Sequence, residues 1–220
     1  MTGPAIDHAA FIRANTELTA PPLVPELRLH LATEVTPLWH ATEATLQRTN
    51  VPPPYWAFAW PGGRAMARLL LDRPELVAGR RVFDFAAGSA VGALAALRAG
   101  AAGAMAVDID PFAIAAARLN AEANGLSGLE LDDGDWIGDP LDGYDLIMAG
   151  DVCYERPLAE RVAAWLKGLA ASGRFVMLAD PGRAYLPAEG LERVAAYTVP
   201  TSLDLEDRSS RETIVYRVRG

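Results

Sequence analysis

The sequence predicts an α/β fold in which helices cover a mostly parallel, Rossmann-like sheet. From residue 80 onward, short apolar segments alternate with longer segments of helical periodicity, which is the pattern of consecutive βαβ units. The first of these strands runs into a turn of small residues, the place where such sheets commonly bind a nucleotide. The last two apolar segments have only a polar turn between them and can pair only as an antiparallel hairpin. We therefore expect seven strands, five parallel and two forming a C-terminal hairpin.

The individual elements follow from this alternation. We expect parallel strands at 81–85, 104–108, 129–132, 144–149 and 174–179, and hairpin strands at 196–204 and 211–218. Helices are expected near 90–99, 111–124 and 157–171. The second helix has the clearest start, because Asp110 can cap it and Pro111 occupies its first turn.

Residues 1–75 differ from the rest of the chain and predict an N-terminal cap or arm. They contain a helix candidate near 7–18, an alternating strand candidate at 26–31, an aromatic and proline-rich segment at 51–63, and a helix at 63–71. We expect this arm to pack on a core at 76–220 and to form one structural domain with it.

Composition excludes several classes of protein. With 220 residues, 51% of them hydrophobic, the chain can bury a sizeable core, which excludes a disordered or fibrous protein. A net charge of -8 disfavours nucleic-acid binding. The single cysteine excludes an intramolecular disulfide, and the three histidines lack metal-ligand spacing, so no metal is expected. Without an apolar leader or span we expect a cytoplasmic protein with no membrane partner; the oligomeric state is open, with a monomer favoured.

The turn after the first predicted strand is the strongest candidate for a ligand site. Residues 86–92 (AAGSAVG) let a ligand approach the backbone and the following helix N-terminus, although a plain turn of small residues would look similar. Asp84 would repel a pyrophosphate and suits an amino-acid ammonium. Asp108 lies 20 residues beyond Gly88, the spacing of a carboxylate that binds ribose hydroxyls. Its alternative role, capping the next helix, fits Asp110 better.

Two further strand ends carry candidate residues. Asp135 and Trp136 follow the third strand and could bind an adenine amino group and ring face, or form a solvated acidic turn. Ala149 ends the fourth strand, and Asp151 and Tyr154 follow it, at the edge where α/β sheets bind substrates.

These residues resemble the seven-strand, class I S-adenosylmethionine-dependent protein-lysine methyltransferases, whose motif after the fourth strand is Asp-x-x-Tyr/Phe. Within that group the sequence is most similar to the electron-transfer flavoprotein β-subunit lysine methyltransferases. The matching pieces are residues 53–63 (PPYWAFAWPGG), 84–92, 108–111 with Asn120 and Asn124, 150–154 (GDVCY) and 180–183 (DPGR). One departure is that Ala86 and Ala90 replace the first and third motif glycines. We expect alanine to be tolerated there because a negative φ suits it.

The resemblance implies a role for each candidate. Asp84 and the backbone of Ala86 to Gly88 would hold the methionine end of S-adenosylmethionine, Asp108 the ribose, and Asp135 and Trp136 the adenine. Ala149 would also contact the cofactor, and Trp60 would close over it, unless Trp60 is a core residue that anchors the proline-rich arm. Asp151 would orient the lysine amine and Tyr154 would form an aromatic wall, with water taking the proton; Tyr154 could instead cap the sheet edge. Cys153 is expected to be buried and unreactive.

Three functions remain open at this point. The first is lysine methylation of the electron-transfer flavoprotein β-subunit, and the second is methylation of another protein, such as a ribosomal protein, or of a small amine. The third is a nucleoside-binding or dehydrogenase-like protein. Asp84 and the terminal hairpin argue against a dehydrogenase, and the pair Asp151 and Tyr154 argues against a simple binding module.

Overall fold

The structure, a computed structural model, describes residues 7–34, 36, 38, 53–202 and 206–220. Its strands are β1 (Glu17–Thr19), β2 (Leu29–Leu31), β3 (Arg81–Phe85), β4 (Gly103–Val107), β5 (Leu129–Asp132), β6 (Leu146–Gly150), β7 (Phe175–Asp180), β8 (Leu191–Pro200) and β9 (Ser210–Val218). Its helices are α1 (His8–Asn15), α2 (Pro61–Asp72), α3 (Val91–Arg98), α4 (Pro111–Ala123) and α5 (Arg156–Ala171). One of the three histidines, His40, lies outside the described residues, as do the start of the predicted aromatic segment at 51–52 and the end of the first predicted hairpin strand at 203–204.

The main sheet has seven strands in the order β5-β4-β3-β6-β7-β9-β8. The first five strands are parallel, and β9 inserts antiparallel between β7 and β8. This confirms the predicted fold class and the C-terminal hairpin. Chain order reverses between β3 and β6, so the carboxyl ends of these two neighbours define the switch point of the sheet.

Alternating side chains of the strands form two apolar layers. Val82, Leu146 and Met148 face α2 and α3 on one side, whereas Phe83 and Ile147 face α5 on the other. This period of two is what a parallel sheet covered on both faces requires. The boundary at residue 75 stays a prediction; α2, which precedes it, packs within the same apolar layer as β3 and β6.

The strand predicted at 26–31 is shorter in the structure, where β2 covers only Leu29–Leu31, and two further predicted elements have different limits because of their pairing. The N-terminal helix ends at Asn15, because residues 17–19 leave it to pair with β2, where Glu17 lies opposite Leu31. The first hairpin strand begins at Leu191 instead of residue 196, because β8 pairs with β9 from Leu191 opposite Val218. Both differences come from pairing with segments distant in sequence, which local patterns do not report.

The N-terminal arm is fixed to the core through two asparagines of α4. The Asn120 side chain accepts a hydrogen bond from the His30 amide at 2.7 Å and donates one to the carbonyl of Ser89 at 3.0 Å. Asn124 accepts from the Arg28 amide at 2.9 Å and donates to the carbonyl of the same residue. The arm, α4 and the turn after β3 are therefore joined by side-chain amides.

Candidate active site

Three predicted carboxylates meet at the switch point of the sheet. Asp84 lies in β3, while Asp108 and Asp151 directly follow its two neighbours, β4 and β6. Burial, together with the nearby Asp108, raises the pKa of Asp84 to about 7, against a hydrogen bond from the Ala93 amide. The carboxyl edge of the sheet thus carries three acidic side chains, one at the end of β3 and two directly after β4 and β6.

Asp84 binds the N-terminus of α3. Its Oδ2 accepts a hydrogen bond from the backbone N–H of Ala93 at 2.8 Å. A Cβ atom at Gly92 would lie 2.9 Å from that oxygen, so the glycine permits the approach. One carboxylate oxygen is therefore committed to the helix, and contact with a ligand ammonium stays a prediction.

The turn after β3 contradicts the expectation for its two alanines. Ala86 and Ala90 have φ values of 53° and 59°, in the left-handed region, and Gly88 has a φ of 52°. The expectation of negative φ was wrong because the turn curls its backbone at all three positions. Left-handed alanine costs about 1 kcal/mol or more relative to its usual conformation, so both positions store strain beside the site.

Asp108 joins this turn to the end of β4. Its Oδ2 accepts from the Gly88 amide at 2.9 Å and its Oδ1 from the Asp110 amide at 3.0 Å. Burial raises its pKa despite these two bonds. Asp110 caps α4 by accepting from the Phe112 amide at 2.9 Å, which confirms its structural role. Ribose binding by Asp108 stays a prediction.

The two adenine candidates have protein partners. Asp135 accepts from the Ile137 amide and pairs with Arg161 at 2.9 Å on the surface. The Trp136 Nε1–H donates to Asp132 at 2.8 Å, and the indole ring lies 5.5 Å from that of Phe83. The sequence did not identify Asp132 as a partner of the indole, although an acidic residue four positions before a tryptophan in a turn could have indicated it. Both adenine assignments stay predictions.

A large apolar side chain at the same edge was also missed. Ile109 follows Asp108 directly and is 75% exposed, next to carboxylates on either side. Such exposure of isoleucine beside a candidate nucleoside site offers a surface on which a base could pack. The sequence feature that could have indicated this surface is an apolar residue between two aspartates. Ala149, the remaining cofactor candidate, is buried at the end of β6.

Asp151 is held in a strained conformation against the start of α2. Its φ is 56°, and its side chain is 11% exposed. Oδ2 accepts a hydrogen bond from the Gly63 amide at 3.0 Å, while Oδ1 is buried and makes no hydrogen bond within the described residues. Burial raises the pKa of Asp151 to about 7, opposed by Arg183 and by the Gly63 amide.

The close approach of α2 to Asp151 depends on glycine. A Cβ at Gly62 would lie 2.5 Å from both the Ala179 carbonyl oxygen and Asp151 Oδ2, and one at Gly150 would lie 2.9 Å from the Gly63 amide. The glycines of the segment at 53–63 therefore let a helix N-terminus, which favours negative charge, reach the carboxylate. No local sequence pattern indicates this contact.

Four aromatic side chains contact one another near Asp151, whose neighbour Arg183 lies over one of their rings, and we call them the aromatic rim: Tyr55, Phe58, Trp60 and Tyr154. Tyr55 lies 6.0 Å from Tyr154 and 6.1 Å from Trp60, centroid to centroid. Tyr55 and Tyr154 are 53% and 43% exposed. Trp60 is half-buried, and its Nε1–H donates to the Tyr55 carbonyl at 2.8 Å, so it supports the rim from the arm. Neither its predicted cofactor contact nor the edge-capping alternative for Tyr154 is decided by this arrangement.

An ion cluster that sequence patterns did not reveal lies behind Asp151. Arg183 Nη2 is 3.8 Å from Asp151 Oδ1 and 2.6 Å from Glu206, which also pairs with Arg211 at 3.1 Å. The backbone amides of Gly182 and Arg183 donate to Asp180 Oδ1, which fixes the turn that carries Arg183. A cavity of about 620 Å³, lined by Trp60, Arg64 and Glu206 among others, adjoins this cluster.

The remaining sequence predictions concern Cys153, a metal site and a membrane-spanning helix. Cys153 is buried, as expected, and burial together with Asp180 raises the pKa of its thiol to about 12, so it is not a nucleophile. Among the described residues there is no group of three or more His, Cys, Asp or Glu side chains that could hold a metal ion. In the same part of the chain no helix combines the length and apolar character that crossing a membrane requires.

Comparison with known sequences gives matches along nearly the whole chain. The electron transfer flavoprotein β-subunit lysine methyltransferase of Danio rerio is 38% identical over 98% of this chain and 85% of its own length. The protein of the same description from Xenopus laevis is 36% identical, covering 94% and 85%, and the one from Homo sapiens is 36% identical, covering 88% and 74%. The family model of the ribosomal protein L11 methyltransferase (PrmA) matches residues 66–176.

Comparison with solved structures gives methyltransferases. A ribosomal protein L11 methylase from Lactobacillus delbrueckii subsp. bulgaricus aligns with a TM-score of 0.51 at 21% identity, over 74% of this chain and 81% of the other. The magnesium protoporphyrin IX methyltransferase of Synechocystis PCC 6803, with bound S-adenosylhomocysteine, aligns at 0.51 and 19%, over 72% and 81%. The predicted Rossmann-like class I methyltransferase fold is confirmed.

Proposed function

The chain belongs to the family of the electron transfer flavoprotein β-subunit lysine methyltransferases, and its core matches the ribosomal protein L11 methyltransferase model; on this premise we propose that it methylates lysine side chains of that β-subunit. The observation that carries the proposal is the state of Asp151. Its carboxylate is fixed at the switch point, keeps one oxygen free of hydrogen bonds within the described residues, and lies beside the aromatic rim. A carboxylate next to aromatic faces is suited to an alkylammonium group.

The residues at the carboxyl edge fit S-adenosylmethionine. Three carboxylates around one edge favour a ligand with a positive sulfonium and an ammonium group. Asp108 would accept from the ribose hydroxyls through its second lone pairs, and the curled backbone at Ala86 to Gly88 would receive the methionine end. Ile109 would pack on the base, with Asp135 and Trp136 beside it. When bound, the cofactor supplies a sulfonium methyl group that an amine nitrogen takes by in-line displacement, leaving S-adenosylhomocysteine.

The protein residues must present a neutral amine on that line. A lysine with a pKa near 10.4 is almost fully protonated at neutral pH, so it arrives as an ammonium that Asp151 can attract. Tyr55 and Tyr154 would exclude water from its alkyl chain, and desolvation lowers the pKa of the amine. Because Asp151 itself favours the charged form, we assign it to orientation and give the released proton to water.

Charge complementarity supports a protein substrate. The chain carries 28 acidic and 20 basic residues, and its candidate site is lined by carboxylates, so a basic exposed segment would be attracted to it. We infer that the reaction takes place in the cytoplasm, which stays a prediction.

The direct test uses labelled S-adenosylmethionine and an extract of cells that lack the protein. Adding the protein should label the electron transfer flavoprotein β-subunit, with the methyl groups on lysine by mass spectrometry. Label on a ribosomal protein instead would favour the second protein substrate, whose methyltransferase model matches the core. Label on no protein would point to a small amine.

A further inference from the structure

Arg183 lies close to Asp151 but forms its hydrogen bonds with another carboxylate. Its guanidinium lies near the catalytic carboxylate, yet Nη2 remains 3.8 Å from Asp151 Oδ1, beyond hydrogen-bond distance. The same nitrogen lies 2.6 Å from Glu206 Oε1, and Nη1 lies 3.3 Å from Oε2. Arg183 therefore favours Asp151 electrostatically while its hydrogen bonds go to Glu206.

Several contacts fix this arrangement. Glu206 is buried and is shared between Arg183 and Arg211, so it cannot move toward either without losing the other. The turn after β7 sets the backbone of Arg183 through Asp180, and the guanidinium lies 6.0 Å above the Trp60 ring. A buried pair with two fixed partners holds its geometry far better than an exposed one.

Resting on the proposed function, we infer that Arg183 and Glu206 act together as positioning residues: Arg183 places a positive charge beside Asp151, and Glu206 holds that guanidinium off the buried Oδ1, which is left without a hydrogen bond to accept one from the substrate ammonium. Arg183 provides the positive charge that a carboxylate needs when it is removed from water. Glu206 withholds the guanidinium from Oδ1, the atom the ammonium must reach. In this way Glu206, in the turn between β8 and β9, determines which contacts the Asp151 carboxylate after β6 can make.

Other charged groups around Asp151 do not replace this pair. From α2, Arg64 faces Asp151 and Glu206 and stays cationic at neutral pH, because burial lowers its pKa only to about 10, but its Nε has no hydrogen-bond partner within the described residues. From β7, Asp180 adds negative charge, and from its own segment Cys153 adds only a neutral thiol. The guanidinium of Arg183 is paired with Asp151, with Nη2 held 3.8 Å from Oδ1.

The test measures the titration of Asp151 in the intact chain, without substrate. Protein labelled with ¹³C at aspartate carboxyls is titrated by NMR, with Asp151→Asn to assign the signal. In Arg183→Gln the pKa of Asp151 should rise by about one pH unit or more, and in Arg183→Lys much less. In Glu206→Gln it should fall, because the released guanidinium closes on Oδ1. Arg193→Gln, which removes an exposed pair with Glu212 in the same hairpin, should change nothing.

Activity provides the second measurement, using the purified flavoprotein β-subunit as substrate. At pH 7 kcat/KM of Arg183→Gln should be about fivefold or more below that of the unmodified protein, and the difference should shrink toward pH 9. The titration of the amine affects both proteins equally and cancels in the ratio of the two values. Glu206→Gln should raise KM for the β-subunit more than it lowers kcat. An unmodified protein without activity on this substrate would reject the proposed function alone, since the NMR titration decides the inference independently.

Two results would overturn the inference. One is an unchanged pKa of Asp151 in Arg183→Gln, with a rate ratio that does not vary with pH. The other is a pKa of Asp151 in Glu206→Gln that stays constant or rises; this variant still decides the question if Arg183→Gln does not fold.

Discussion

We propose that Asp108 serves cofactor binding and Asp151 serves methyl transfer, although both are aspartates. Asp108 is bonded to backbone amides through both oxygens, whereas Asp151 keeps Oδ1 free of hydrogen bonds within the described residues. Although Oδ1 of Asp151 is buried, it has unused capacity to accept a hydrogen bond from a substrate, whereas the carboxylate of Asp108 is fixed by two hydrogen bonds and can shape a cofactor site. The local geometry thus assigns different roles to residues that the sequence presents as equivalent aspartates.

Substitution of each aspartate by asparagine should separate these roles. Asp151→Asn should keep S-adenosylhomocysteine affinity within about twofold and lower kcat by about 100-fold or more, because an amide cannot hold the ammonium. Asp108→Asn should weaken cofactor binding by about tenfold or more, since one charged acceptor is lost. Calorimetric titration and methyl-transfer rates provide the two readouts, and equal loss of cofactor binding in both variants would contradict the division.

The left-handed alanines lead to a prediction about stability. Ala86→Gly should raise the free energy of unfolding by about 0.5 to 1 kcal/mol, because glycine adopts positive φ without the steric cost of Cβ. At the fully buried Ala90 the loss of a core methyl offsets this gain, so Ala90→Gly should stay within about 0.5 kcal/mol of the unmodified protein. Ala164→Gly, at an exposed position inside α5, should instead lower the free energy of unfolding by about 1 kcal/mol. Chemical denaturation measures all three, and destabilisation by glycine at position 86 would contradict the backbone conformation described.

Helix α2 depends on glycine for its contact with the end of β6. Gly62→Ala should destabilise the protein by about 1 to 3 kcal/mol and lower the transfer rate, because the added methyl would overlap Asp151 and a backbone carbonyl. Gly168→Ala in α5 is the matched control, since its Cβ would enter open space and should raise stability. Thermal unfolding and activity measure both effects. A Gly62→Ala variant as stable and active as the unmodified protein would show that α2 does not press on Asp151.

Elements with local signals were predictable from the sequence. The strands of the parallel sheet follow from apolar periodicity, and the start of α4 follows from Asp110 and Pro111. The sign of φ at Ala86 and Ala90 was not predictable, because alanine normally indicates negative φ. The contacts of Asp151 with Gly63 and of Arg183 with Glu206 join residues 88 and 23 positions apart, and no local pattern reports them. For this reason the fold and the motif residues were predicted, whereas the groups that tune the site were not.

Buried carboxylates couple the stability of the whole protein to pH. The pKa values of Asp84 and Asp151 rise to about 7 in the folded state, so between about pH 4 and 7 the folded protein binds more protons than the unfolded chain. Its free energy of unfolding should therefore fall as pH rises through this window, by at most about 1.4 kcal/mol per pH unit for each group.

Thermal unfolding of the ligand-free protein between pH 5 and 8 checks this coupling. The melting temperature should decrease toward pH 8, and Asp84→Asn should flatten the decrease, whereas Asn at the exposed Asp133 should leave it unchanged. Because a cationic ligand favours ionised carboxylates, S-adenosylmethionine should stabilise the protein more at pH 8 than at pH 6. A melting temperature that rises steadily from pH 5 to 8 would contradict the burial of these groups.

We propose that Asp151 directs transfer of a methyl group to a lysine of the flavoprotein β-subunit. The most direct measurement is mass spectrometry of the purified β-subunit after incubation with S-adenosylmethionine and either the unmodified protein or Asp151→Asn. We expect methyl groups on lysine with the unmodified protein and nearly none with the variant, while both bind S-adenosylhomocysteine. An unmodified β-subunit in both reactions, or equal methylation in both, would contradict the claim.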